Sequence, residues 1–422
     1  MKKIIALLLS SIFIHFGYAK TSYSIKSDLQ KLKNTTTILY LAAHPDDENN
    51  LLIGYLARGK HYRTIYFSLT RGDGGQNLIG AEQGVELGIL RTEELIKARS
   101  VDGGEQYFSH AYDFGFSKTA KETFEHWDQG KLLQDVIQAI RITQPTIIIC
   151  RFPADKRAGH GHHIASAMLG KMAYLLAGDE HYKLYSNPDL KPWRANALLW
   201  NVFDKNDSLI KSPLIKLSVS GIDSSTGKTF QELAAESRSM HKCQGFGVAP
   251  DNNSTEEYFE VIEGGSNAAK IDLNAITNQK WTEEKNGKDI VKSIDDLINN
   301  EHRYNYETIL TKLIYLRSQL QTIQDSLLRM EKLNLINQII LQYTQLRITC
   351  YSKDELQAVK QDISFTTSIF NPMPDKTFEL KVDNNFLSIN PLSNIHQDFQ
   401  ITTNNNSQPT WLNNEIKNDL YD

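Results

Sequence analysis

A chain of 422 residues is too long for one small hydrophobic core and implies two or three domains. Its composition, 40% hydrophobic and 23% charged, is that of an ordinary folded protein, and 46 basic residues against 50 acidic ones leave a net charge of −4. That balance excludes the basic bias of a nucleic-acid-binding protein.

In chain order, Lys2 and Lys3 precede an apolar stretch from Ile4 to Phe16 and then Gly17-Tyr18-Ala19, the pattern of a secretory signal cleaved after Ala19. The apolar run is too short to span a bilayer, so an exported, periplasmic or secreted protein without a stable membrane span is expected. Ile38 to Ala42 reads as a strand buried on both faces and ended by Pro45. A helix follows from Asn49 to Arg58 with Gly59 as its stop, then a strand from Thr64 to Leu69 that leads into Arg71-Gly72-Asp73-Gly74-Gly75. Helices are expected over Glu86–Ala98 and Leu132–Ile142, strands over Thr146–Cys150 and Ala197–Val202, and a further helix over Thr229–His241. Alternation of this kind predicts an α/β fold: a Rossmann-like, mostly parallel sheet with helices on both faces. Gly287 is the last glycine, and beyond it Ile309, Leu313, Leu316, Leu320, Ile323, Leu327 and Met330 keep the four-and-three spacing of a helical hairpin. Past Ser364, Phe378, Leu380 and Val382 alternate with Glu379 and Lys381 as in a strand. The expected boundaries are a signal at 1–19, a catalytic domain at 20–265, a helical region at 266–363 and a β-rich segment at 364–422 that reads as an incomplete domain. Cys150, Cys243 and Cys350 lie far apart and read as isolated buried thiols, one disulfide being the alternative.

The chemistry sits just beyond two strand ends, where ligands bind in open parallel sheets. His44, Asp46, Asp47 and Glu48 follow the first strand; His160, His162 and His163 follow the strand ending at Cys150. His160 and His163, three apart, are expected to share a face of the helical turn, with His162 pointing elsewhere, solvated or supporting a ligand. Two imidazoles and one carboxylate leave positions open for water and substrate, the arrangement of a hydrolytic zinc centre; ferrous iron suits the same donors. Of Asp46 and Asp47 one ligates and the other accepts a proton, while a further imidazole, charged, stabilises an oxyanion. Glu48 reads as a residue supporting the ligands, Asp73 as a turn residue or a substrate contact, Arg91 with Glu94 as a helix-surface pair or a site element, and His241 as an ordinary helix-end histidine. Trp193, Trp200 and Trp411 read first as core residues and second as sugar platforms.

The combination Ala43-His44-Pro45-Asp46-Asp47-Glu48, Arg91-Thr92-Glu93-Glu94 and His160-x-x-His163 resembles the PIG-L or LmbE-like family of metal-dependent N-acetylglucosamine deacetylases, over roughly Thr37 to Gly247. The Arg71-Gly-Asp73-Gly-Gly loop and the Gly-His-Gly-His run resemble a larger, exported bacterial branch of it. The resemblance implies that His44, Asp47 and His163 bind zinc, Asp46 is the general base, His160 stabilises the oxyanion, and Arg91 contacts the sugar or orients the site. It implies removal of an acetyl group from an N-acetylated amino sugar or glycoconjugate. A carbohydrate-binding protein on an inactive version of that scaffold is the rival, and it should have lost a ligand or the base. A nucleotide-binding reading fails for want of a Gly-x-Gly-x-x-Gly turn after the first strand.

Overall fold

The computed structural model describes residues 25–210, 212–253, 255–276, 280–352, 362–382, 385–402, 409–417 and 419–421. The expected signal segment at 1–19 lies outside the described residues. Among these residues no helix is long and apolar enough to cross a membrane.

The centre of the fold is β1 (Thr37–Ala42), with all six residues buried, paired in parallel with β2 (Arg63–Ser68) on one side and β4 (Ile147–Cys150) on the other. With β3 (Glu105–Phe108), β5 (Ala197–Asn201), β6 (Ile215–Ser218) and β7 (Glu256–Gly264) they form one sheet in the order β3-β2-β1-β4-β5-β7-β6. The first five strands are parallel, and β7 runs antiparallel to both its neighbours. Strand order therefore reverses between β1 and β4, which leaves a crevice beyond their carboxyl ends. Two apolar layers, one on each face, account for the continuous hydrophobic character of β1 and β4.

Helices flank the sheet. α1 (Lys26–Lys33) precedes β1; α2 (Asn50–Gly54) runs on into a π-helical turn at Tyr55–Gly59; α3 is Val85–Asp102, α4 Ala120–His126, α5 Gln129–Thr143, α6 Gly161–Ala177 and α7 Phe230–Arg238. Local chemistry sets their ends: Asp128 caps α5 through the Lys131 amide, Thr229 and Glu232 make a reciprocal capping box on α7, and Gly103 closes α3 at φ 83°. α6 lies hard against the sheet. A Cβ at Gly170 would stand 2.8 Å from both Cys150 Sγ and Leu41 Cδ2, so only glycine permits this approach.

The segments after β7 are α8 (Lys280–Glu283), α9 (Gly287–Asn300), α10 (Tyr306–Leu320) and α11 (Ser326–Thr344), then β8 (Arg347–Ser352), β9 (Asp362–Phe370), β10 (Phe378–Val382), β11 (Asn385–Ile389) and β12 (Asn394–Thr402). β9 pairs antiparallel with β8 and β12, and β10 with β11. The apolar run at Ile309, Leu313, Leu316 and Leu320 is buried along α10, but the repeat does not survive the turn: on α11 Leu328 is buried and Met330 is 57% exposed. A helix ends at Leu320, so the period has no continuous backbone to follow.

Two contacts join segments far apart in the chain. Ile25, Leu29 and Leu32 share a core with Trp281, Ile290, Leu297 and Leu313, so α1 packs with the helical region although it precedes the sheet. At the other end, residues 409–421 leave the β-rich segment and return to the sheet domain, where Leu420 joins the core beside Ala111 and Trp127. The three cysteines are free; Cys150 and Cys243 are buried, whereas Cys350 is exposed on β8.

Because Leu420 is almost wholly buried at 2% exposure, Leu420→Ala should destabilise the fold by about 2–5 kcal/mol in urea denaturation. An unchanged midpoint would mean that this segment is not docked.

Candidate metal centre

The crevice between β1 and β4 gathers the residues of both loops. Asp47 Oδ2 accepts hydrogen bonds from the backbone amides of Ala43 (3.1 Å) and His44 (2.7 Å), which folds the loop back on the strand end. Its carboxylate then faces two imidazoles: His44 Nδ1 lies 3.3 Å from Oδ2, His163 Nε2 lies 3.3 Å from Oδ1, and the two nitrogens are 3.2 Å apart. The two contacts reach different oxygens of the Asp47 carboxylate, and one ligand atom from each of the three residues lies within 4.8 Å of the others, close enough to share one ion whose ligands stand about 2.0–2.2 Å away. His163 Nδ1 meets the Ala158 carbonyl at 2.9 Å, which places the ring proton on Nδ1 and leaves Nε2 free to ligate.

The local charge favours a cation. Burial works against a proton on His44, yet Asp47, then Asp113 and Asp46, raise its pKa to about 9. Burial likewise opposes the Asp47 charge, but His163 and His44 hold its carboxyl well below the usual carboxylate range. A second histidine set, His44, His160 and His162, also converges. It suits an ion less well, because it holds no carboxylate and His160 Nδ1 already accepts the His162 amide at 3.0 Å.

Asp46 sits beside the triad with φ 103°, a conformation rarely taken by a residue with a side chain. The surrounding donors fix it there. The Ala43 carbonyl accepts from Thr70 Oγ1 at 2.9 Å, His44 from the Tyr66 hydroxyl at 2.5 Å, Pro45 from Gln244 Nε2 at 2.9 Å, and Asp46 from Arg238 Nη1. The Asp46 side chain lines a cavity of about 540 Å³ together with Asp47, His163, Arg151 and Arg238. Burial, then the neighbouring Asp47 charge, raise its pKa to about 6, with Arg238 opposing, which suits a base working near neutral pH.

The histidines after β4 arrange themselves differently from a simple helical face. His160 is the N-cap of α6 in an extended conformation, so three-residue helical spacing does not apply across it. All three rings pack around His44 with centroids 5.1 Å away. His162, expected to point away, is fully buried, stacks on Trp127 at 4.3 Å, and holds the far nitrogen of His44. His160 is neutral rather than charged: burial, then His44 and His163, lower its pKa to about 4. Since its Nδ1 accepts the His162 amide, the proton of the neutral ring is on Nε2, where it is available as a donor.

Glu48 lies beneath the site. Its carboxylate takes His241 Nε2 at 2.6 Å, the Asp46 amide at 2.9 Å and Arg99 Nη2 at 3.4 Å, so His241 is a buried partner and not a surface helix end. The structure puts Asp73 and Arg91 away from the cavity wall. Asp73 is 2% exposed and bound by the Tyr421 hydroxyl; Arg91 Nη2 donates to the Gln76 carbonyl at 2.9 Å and its guanidinium fills the space over Gly72 and Gly75. Glu94 accepts from the Cys243 amide at 2.7 Å and does not pair with Arg91. Trp200 is buried, Trp193 bonds the Pro145 carbonyl, and Trp411 covers the Arg71 guanidinium at 3.6 Å. Residues given no role from sequence line the cavity instead: Asn49, Arg151, Gln231, Arg238 and Glu257. Of these only Arg151, directly past the end of β4, stood where the strand-end rule points.

Residues 39–174 match the protein family described as PIG-L, GlcNAc-PI de-N-acetylase. No curated protein matches the chain. Among solved structures the chain is similar to the conserved protein TT1542 of Thermus thermophilus (20% identity, 50% of this chain and 80% of that chain, TM-score 0.33). It is also similar to GalB, the 4-carboxy-2-hydroxymuconate hydratase of Pseudomonas putida KT2440 (17%, 58% and 99%, 0.36), and to the N,N'-diacetylchitobiose deacetylase of Pyrococcus horikoshii (14%, 58% and 79%, 0.36). The stretch that carries His44, Asp47 and His163 lies within the residues, 39–174, that are similar to the PIG-L family.

Proposed function

We propose that this protein is a metal-dependent hydrolase that removes the acetyl group from an N-acetylated amino sugar, acting outside the cytoplasm. The observation that carries the reading is the convergence of His44 Nδ1 and His163 Nε2, 3.2 Å apart, each 3.3 Å from one oxygen of the Asp47 carboxylate, with Asp46 on the cavity wall beside them. The family match supports the sugar amide as substrate, and the apolar segment after Lys2 and Lys3 supports export.

His44, Asp47 and His163 would hold zinc or ferrous iron, which when bound polarises the acetamide carbonyl and makes water easier to deprotonate. The protein's own groups do the rest. Asp46 accepts a proton from the attacking water as its oxygen adds to the carbonyl carbon. His160 Nε2 donates to the oxygen that gains negative charge. The carbon–nitrogen bond then breaks as Asp46 passes its proton to the departing nitrogen, giving acetate and a free amino sugar. A binding protein on the same scaffold has no need of a strained, unligated Asp46, so hydrolysis is favoured.

Asp46→Asn should retain metal while kcat for acetate release from N-acetylglucosaminyl compounds falls by about 10²–10⁴-fold; intact turnover would rule Asp46 out as the base. His160→Ala should cost about 3 kcal/mol in the barrier with metal content unchanged, a result that loss of metal would contradict. His162→Ala should weaken metal binding by about 10–100-fold in a competition titration with a chromogenic chelator, because the far nitrogen of His44 loses its partner; unaltered affinity would show that His162 does not position the ligand.

A further inference from the structure

The two imidazoles of the metal centre are held in different ways. His44 has a partner at each ring nitrogen, Asp47 beside Nδ1 and His162 beside Nε2. His163 turns Nε2 towards the centre and is tied elsewhere by one hydrogen bond, from Nδ1 to the Ala158 carbonyl at 2.9 Å. A single bond in the plane of an imidazole leaves the ring able to tilt about it, because the histidine ring torsion has a broad energy well. Such a tilt carries Nε2 away from His44 Nδ1 and Asp47 Oδ1, which stand 3.2 and 3.3 Å from it.

The Phe152 ring opposes that tilt. It lies flat on the His163 ring, with centroids 3.7 Å apart and planes 5° from parallel. Phe152 is itself fixed: it stands two residues past β4, and the following Pro153 disfavours a helical backbone there. Its side chain is buried in the same apolar layer as Ala158, and the Phe203 ring packs against it at 5.8 Å. Asp155 caps the short turn Lys156–Ala158, which sets the direction of the carbonyl that holds His163. The imidazole is thus restrained in its plane by Ala158 and across its plane by Phe152. Two neutral rings stacked face to face gain little beyond contact, but the negative face of a phenyl ring attracts an imidazole whose electrons are drawn towards a cation, so the stack favours the metal-bound state over the empty one. From this geometry we infer that Phe152 is a positioning residue of the metal centre: it fixes the plane of His163 and so aims Nε2 before an ion binds, which removes the cost of ordering the ligand. The inference rests on the metal-centre reading and adds to it a residue that neither ligates nor carries a proton.

The test uses the full chain and two variants: Phe152→Leu, which keeps most of the apolar volume and loses the flat face, and Phe152→Tyr, which keeps the face. In a zinc titration against a chromogenic chelator, Phe152→Leu should bind about 3–10-fold more weakly than the wild type, and Phe152→Tyr within about twofold of it. With cobalt in place of zinc, the visible absorption band should change shape in the Leu variant and be kept in the Tyr variant. In metal-free protein carrying isotope-labelled histidine, His163 should give one sharp form protonated at Nδ1 in the wild type and the Tyr variant, and broadened or mixed signals in the Leu variant. Wild-type affinity in Phe152→Leu, or equal losses in both variants, overturns the inference. His163→Ala tells this failure from that of the reading beneath it. A wild type that binds no zinc, or a His163→Ala variant that binds it as tightly, overturns the metal centre and the inference together; binding lost in His163→Ala but kept in Phe152→Leu overturns the inference alone.

Discussion

Asp47 is the residue on which the site depends. One carboxylate tethers the two amides that follow β1 and simultaneously draws together an imidazole from its own loop and one from the start of α6. Without that charge, two partly buried rings 3.2 Å apart would have little reason to face one another. The topology supplies the opportunity, since the strand order reverses between β1 and β4 and opens a crevice where both loops end. Gly170 supplies the fit, allowing α6 to lie close enough to the sheet for His163 to arrive at the right height.

Around this centre the protein is rigid in a specific way. Four consecutive carbonyls from Ala43 to Asp46 each have a side-chain donor, drawn from the second strand, the loop after it, α7 and the turn beyond α7. Glu48 adds a buried anchor to Arg99 and His241, and Arg99 is in turn held by Asp102 at 2.6 Å. A backbone gripped at so many points can retain Asp46 in an unfavourable conformation on the wall of the cavity. The polar network therefore bears on chemistry as much as on stability.

Much of this was legible in the chain itself. Continuous burial of β1 and β4, the strand–helix alternation, and a His-Pro-Asp-Asp run placed at a strand end are local signals, and each matches its place in the fold. What escaped was decided by distant contacts. Nothing near His162 announces that it turns inward onto Trp127, and Asp73 was drawn into the interior by Tyr421, a partner 348 positions away. The part played by Asn201, buried at the end of β5, is likewise invisible, because Tyr40, Asn49, Arg151 and Glu257, which bond its side-chain amide, come from four separate segments. Spacing rules also misled at the α6 start, where the capping residue lies outside helical geometry.

The most direct measurement is anomalous diffraction at the zinc edge from crystals grown with the metal. The account predicts a single strong peak within bonding distance of His44 Nδ1, His163 Nε2 and Asp47, with the Asp46 carboxyl outside that distance. A peak held instead by His44 Nε2, His160 and His162, or one to which Asp46 is bonded, would contradict it.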